Sequence, residues 1–239
     1  MYILACALSL MPCILLFLYL RRQKKDEPLY KKLCNKALLR GVISVIPIAV
    51  LSCIFNIVIK AAVAKNDNAI LYSFLYTVVV LAFVEELVKF FSTKKFIKKN
   101  DYAYSWVDVT VFTTIVAIGF SLIETVTLGI GESIPVVLIR AISFPHVGYG
   151  FIVGYFLGKS MKLNKPAMQA AGFVVALIIH GAYDFSLQED VLMINDILVF
   201  LPFILTVVDI ILVVVLIKFI RKSKHEEQFI EPLNIASET

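Results

Sequence analysis

Histidine is scarce in this chain. Among 239 residues there are three, His146, His180 and His225, so any imidazole chemistry rests on very few groups. Cysteine is little richer. Cys6, Cys13, Cys34 and Cys53 show no metal-ligand spacing and no disulfide framework. Three of them lie in apolar runs and read as small core residues. The N-terminus lacks the basic stretch that opens a secretory signal peptide; Arg21, Arg22, Lys24 and Lys25 follow the first apolar run instead. No inverted repeat relates the two halves, which counts against an ion-coupled transporter. The net charge of +5 is no nucleic-acid footprint, because the Lys and Arg residues cluster beside apolar runs, as in cytoplasmic loops.

What the chain has in abundance is apolar side chains. They make up 60% of it, with a mean hydropathy of +0.88, too apolar for a soluble domain. Helices satisfy their own backbone in lipid, so the reading is an all-α, polytopic membrane helix bundle. Seven spans are expected: residues 1–20, 41–64, 70–91, 106–128, 135–158, 166–187 and 193–217. The loops predicted to be cytoplasmic carry nearly all the Lys and Arg, and the others are short, neutral or acidic. That places the N-terminus outside and the C-terminus inside. Residues 1–217 then form one transmembrane domain, with its motif-bearing core over about 70–187, and residues 218–239 form a polar cytoplasmic tail. The membrane lipid is its solvent, and no nucleic-acid partner is expected.

Charge within the apolar runs marks the chemistry. Glu85 and Glu86 stand side by side in the third span. A carboxylate at bilayer depth costs ~2.5–3.5 kcal/mol on insertion scales. Two in succession need partners or a water-filled cavity. Lys89, four residues after Glu85 and three after Glu86, can pair with either. The fourth span carries Phe120-x-x-x-Glu124, and Asp108 stands at its start, as a helix-start residue should. In the fifth span His146, Gly150, Gly154 and Gly158 recur every four residues, a stripe that lets another helix approach closely. Pro145 should kink that span. In the sixth, Gly172, Ala176, His180 and Asp184 repeat the device. Asp184 is placed to orient His180 or to share a metal or water with it. Asp209 in the seventh span is expected to pair with Arg140 or Lys60 and is given no chemistry. One feature resists convergence. With straight helices, Glu85 and Glu86 lie in the cytoplasmic half and Glu124 and Asp184 in the outer half, roughly 15 Å apart in depth. Tilt, a kink at Pro145 or different span limits must remove that gap.

The order Glu85-Glu86-x-x-Lys89, Phe120-x-x-x-Glu124, His146 with its glycine stripe, and His180-x-x-x-Asp184 resembles the PrsW family of intramembrane proteases, across about Val80 to Asp184. That family is akin to the group holding the CAAX prenyl proteases and bacteriocin-immunity-like membrane proteins. The CAAX pattern has an Arg one residue farther from its Glu pair and a His after its Phe. Lys89 and Glu124 stand here instead and argue against a prenyl-protein substrate.

The resemblance implies a multi-pass protease of the bacterial cell membrane. Its substrate would be a single-pass membrane protein, typically an anti-sigma factor, cut outside near the membrane before a second intramembrane protease acts. Glu85, Glu86, Glu124, His146, His180 and Asp184 are the catalytic candidates. A carboxylate in a low-dielectric surrounding holds its proton more firmly than in water, which suits a general base near neutral pH. Glu85 or Glu86 fills that role. His146 and His180 position the water or hold a divalent metal such as zinc, with Glu124 and Asp184 as ligands or orienting groups. A metal-free glutamate mechanism is the other form. The alternative function is a non-catalytic, immunity-like relative that binds a membrane partner.

The charge asymmetry makes a direct prediction. On a background without native cysteines, a cysteine at position 189 should label readily from outside intact cells, and one at 224 should be protected. The reverse pattern defeats the topology.

Overall fold

A computed structural model describes residues 2–63, 68–100, 102, 104–129, 145–188 and 200–226. Among the described residues the chain is a bundle of seven helices without strands. They are α1 (Tyr2–Arg21), α2 (Pro28–Val63), α3 (Ala69–Lys99), α4 (Trp106–Gly129), α5 (Pro145–Leu163), α6 (Ala167–Ser186) and α7 (Leu201–Glu226). Helices α2, α3, α4, α6 and α7 contain stretches long and apolar enough to cross a membrane, and Leu8–Arg21 in α1 is a shorter apolar helix. Arg140, Glu189, the tail after Glu226 and the expected span starts at Pro135 and Met193 lie outside the described residues.

Several helices outrun their expected limits at the end rich in Lys and Arg. Helix α3 continues to Lys99 instead of stopping near Phe91, and α7 reaches Glu226. Helix α2 begins at Pro28, well before Gly41, with a proline where a helix start tolerates one. Lys94, Lys95, Lys98 and Lys99 line the last turns of α3, where cations suit the negative end of the helix dipole. A hydropathy reading stops where the apolar run stops; the hydrogen-bonded helix does not.

These extensions remove the depth conflict. Polar contacts tie the basic ends together: Lys36 Nζ donates to Asn100 Oδ1 (3.1 Å), Lys94 Nζ donates to Gln169 Oε1 (3.0 Å), and Lys24 pairs with Asp108 (3.1 Å). Measured from that end at 1.5 Å per residue, Glu85 lies ~21 Å along α3, Glu124 ~27 Å along α4, His146 ~25 Å along α5 and His180 ~20 Å along α6. On that measure the four lie within about 7 Å of one level, against the roughly 15 Å expected. Pro145 is the first described residue of α5, and the expected kink, which involves the residues before it, lies outside the described residues. Helix α3 has a different irregularity. Its Leu75–Phe83 segment is a π-helix, a wider turn often found beside functional sites, and it ends just before Glu85.

Helices α4 and α5 form the centre. Close approach explains the glycine stripe. A Cβ on Gly150 would overlap Ala117, one on Gly154 would stand 2.8 Å from the Thr110 carbonyl oxygen, and one on Gly158 would overlap the Trp106 carbonyl. Thr110 Oγ1 also donates to the Gly154 carbonyl (3.3 Å). On the far side of α4, Gly41 of α2 and Gly119 meet backbone to backbone. At the basic end Phe112 is enclosed by the rings of Tyr30, Phe96, Tyr102 and Tyr104. Asp108 starts α4 as expected and does more. Ser105 N–H and Oγ donate to Asp108 Oδ2 (2.9 and 2.8 Å), and Asp108 N–H donates back to Ser105 Oγ (3.1 Å). That reciprocal cap also receives Lys24, fastening the α1–α2 connection to α4.

The Gly41–Gly119 crossing should tolerate no side chain. Gly41→Val and Gly119→Val each force the backbones of α2 and α4 apart, at about 1–3 kcal/mol or more. A lower melting temperature in detergent is expected for both; an unchanged one refutes the close crossing.

Candidate active site

Four helices deliver seven polar side chains to one cluster. Helix α3 supplies Glu85, Glu86 and Lys89, at 7%, 2% and 5% exposure, so none of them snorkels to the interface. Helix α4 supplies Glu124, α5 supplies His146, and α6 supplies His180 with Asp184 one turn on. The imidazole rings of His146 and His180 lie 5.0 Å apart, nearly perpendicular. The six residues singled out from sequence and Lys89 are thus brought together.

Glu86 is saturated. Its Oε1 accepts from Lys89 Nζ at 2.7 Å and meets His180 Nδ1 at 2.9 Å. Glu85 is not. Its Oε2 is buried and has no hydrogen-bond partner among the described residues. It lies 3.8 Å from Lys89 Nζ, 3.8 Å from His180 Nε2 and 3.9 Å from His146 Nδ1. Adjacent carboxylates ~100° apart on one helix therefore meet different surroundings.

Each imidazole is held from its far side. His146 Nε2 pairs with Glu124, and its Nδ1 faces Lys89 Nζ at 3.2 Å. His180 Nδ1 pairs with Glu86, and its Nε2 faces Asp184 Oδ2 at 3.2 Å. With a carboxylate at both nitrogens, a neutral His180 can donate to one only. Either the ring is imidazolium or one carboxyl group carries the extra proton.

Glu124 and Asp184 are the exposed members, with side chains 21% and 19% accessible against 9% or less for the others. The cluster therefore opens on their side, among the described residues.

One potential ligand atom from each of Glu85, His146 and His180 lies within 4.8 Å of the others. Two imidazoles and a carboxylate are a common donor set for catalytic zinc. The orphaned Glu85 Oε2 is an atom that a cation would satisfy. The residues fit a metal, and the set differs from the expected His146, His180, Glu124 and Asp184. Glu85 joins the two histidines, whereas Glu124 is turned to the opposite nitrogen of His146, the position of an orienting carboxylate. Asp184 stands beside the set, on His180.

Aromatic rings complete the walls, and sequence reasoning missed most of them. Tyr149 stacks on His180, with ring centroids 4.7 Å apart and planes 22° from parallel. Phe120 stands edge-on to His146 at 4.8 Å and lies beneath Lys89 Nζ at 4.6 Å. The signal for Tyr149 was its place three residues after His146, on the same helix face. Asp209 is fully buried and faces Tyr149 Oη at 3.4 Å, not Lys60; Arg140 lies outside the described residues.

Comparison with known proteins gives a consistent result. A family model described as PrsW family intramembrane metalloprotease matches residues 30–216. Protease PrsW of Bacillus subtilis (strain 168) is 26% identical over 180 residues, which is 73% of this chain and 77% of the relative. Protease PrsW of Oceanobacillus iheyensis is 27% identical over 182 residues, 73% of this chain and 78% of the relative. That of Shouchella clausii is 22% identical over 187 residues, 76% and 82%. No solved structure matches the chain.

The contrast between the two glutamates is measurable as stability. Glu86→Gln strips Lys89 and His180 of their shared anion inside the bundle, a loss of about 3 kcal/mol or more. Glu85→Gln removes a charge with no close partner and should leave the melting temperature little changed. Equal destabilisation by both contradicts this division.

Proposed function

The chain belongs to the PrsW family of intramembrane metalloproteases, and from that premise we propose how its residues divide the work of cutting a peptide bond. It is a multi-pass membrane protease. Glu85, His146 and His180 form the hydrolytic centre, and the observation that carries this assignment is the buried, partnerless Glu85 Oε2 between two imidazoles. A divalent metal, zinc by the donor set, would be held by these three residues; when bound it would acidify a water and polarise the scissile carbonyl.

The chain's own groups supply the rest. Glu124 fixes His146 by its Nε2 and Glu86 fixes His180 by its Nδ1. The other nitrogens, His146 Nδ1 and His180 Nε2, then lie 3.9 and 3.8 Å from Glu85 Oε2, beside Lys89 and Asp184 respectively. A carboxylate has two oxygens, so presenting one to a cation leaves the other to accept the proton of the attacking water. Glu85 is therefore the base, and Glu86 the orienting partner. Asp184, beside His180 at the open side, is placed to pass a proton to the departing amine. Tyr149 and Phe120 wall the imidazoles against disordered water.

The substrate we propose is a single-pass membrane protein, an anti-sigma factor being the type the family resemblance implies. The seven-span, N-out arrangement remains our reading of the loop charges. It would put the open side of the cluster, at Glu124 and Asp184, toward the extracytoplasmic face. Wider kinship with the CAAX prenyl proteases rests on the motif order alone.

Cleavage of a co-expressed candidate substrate, with membrane levels checked by blot, tests the assignment. Loss of a general base costs ~10²- to 10⁴-fold. Glu85→Gln should be folded and inactive by that margin. His180→Ala should be inactive and, with His146→Ala, should lose the metal found in the purified wild type. Lys89→Ala should retain more activity than either. Normal cleavage by Glu85→Gln and by the Glu85→Gln, Glu86→Gln double variant would sink the mechanism.

A further inference from the structure

Lys89 stands where a cation is wanted. Its ammonium is buried, 2.7 Å from Glu86 Oε1, 3.8 Å from Glu85 Oε2, 3.2 Å from His146 Nδ1 and 4.6 Å above the centre of the Phe120 ring. Two of those neighbours, Glu85 and His146, belong to the candidate ligand set. We infer that Lys89 is a built-in cation that holds the metal-free centre together and competes with a divalent metal for His146 Nδ1.

A neutral imidazole donates from one nitrogen and has a single lone pair on the other. Glu124 takes Nε2 of His146, so Nδ1 is the nitrogen left to act as acceptor or ligand. It cannot accept from Lys89 and bind a metal together. The two cations also repel each other strongly in a medium of low dielectric. Metal entry therefore requires the ammonium to withdraw from Nδ1. Its flexible stem allows this, and Glu86 and the Phe120 face remain to receive it. Without the metal, Lys89 supplies positive charge to Glu85 and Glu86, which would otherwise stand as buried, poorly compensated anions. Apo stability and metal affinity are in this way set against each other by one side chain.

The inference rests on the metal reading proposed above, and the test separates the two. Wild type, Lys89→Met and Lys89→Arg are purified in detergent and stripped with chelator. Each is melted, then titrated with zinc against a chromophoric competitor. Lys89→Met should bind zinc about tenfold more tightly or better, since a unit charge a few ångströms from the ion is gone. Stripped Lys89→Met should melt below stripped wild type and recover on zinc addition. Lys89→Arg, which keeps the charge, should show no gain in affinity. Lys89→Gln, able to keep a hydrogen bond to Glu86, carries the same prediction if Lys89→Met does not fold. Zinc binding by wild type with equal or weaker binding by the neutral variants overturns the competition and leaves the metal reading standing. No zinc binding by wild type or either neutral variant removes both.

Discussion

Two adjacent carboxylates inside an apolar helix are the constraint on which the rest of this molecule depends. Neither can be left uncompensated in a low-dielectric interior. Glu86 is answered on both sides, by Lys89 one turn along its own helix and by His180 from α6. Glu85 receives only more distant company, from Lys89, His146 and His180. Those answers come from different helices, so the bundle must bring α3, α5 and α6 to one point. Glu124 of α4 joins by holding the second histidine. The ionic cluster thus acts as a register pin for four helices as well as a site.

Such reach demands short distances between helix axes, and that is the work of the small residues. Apolar area drives no association between helices in lipid, so packing and polar contacts must. Gly150, Gly154 and Gly158 let α5 sink onto α4, with Thr110 hydrogen-bonded to a glycine carbonyl. Gly172 lets α6 approach Phe156 of α5. At the basic end, Asp108, Lys24, Lys36 and Lys94 join neighbouring helices and hold their levels.

The unequal treatment of Glu85 and Glu86 connects the fold to the protease activity of the family. A carboxylate tied by two close partners is a poor proton acceptor but a good brace. One that is buried and short of partners is held in readiness for water or a cation. Both conditions arise from a single step of ~100° along one helix. Tyr149, stacked on His180 and touching Asp209 of α7, ties the seventh helix to the same centre.

The residues of the buried cluster were legible in the linear chain because charge in an apolar run is costly and so stands out. Glu85, Glu86, Glu124, His146, His180 and Asp184 could be picked by that criterion, and the four-residue repeats of glycine could be read as packing faces. The helical class followed from hydropathy. What hydropathy could not reach were the helix ends, because hydrogen bonding carries α2, α3 and α7 beyond the apolar stretch. With the ends misplaced, the depths of Glu85 and Glu124 looked incompatible. Direction was hidden too. Spacing says that Lys89 can meet Glu85 or Glu86, but only packing chose Glu86 for the short contact and turned Lys89 to His146. The same holds for Glu124, which contacts the far nitrogen of His146, and for Glu85, whose Oε2 lies between the two imidazoles. A sequence lists the donors; which of their atoms face one another depends on helix rotation and level, which exist only once the helices are packed.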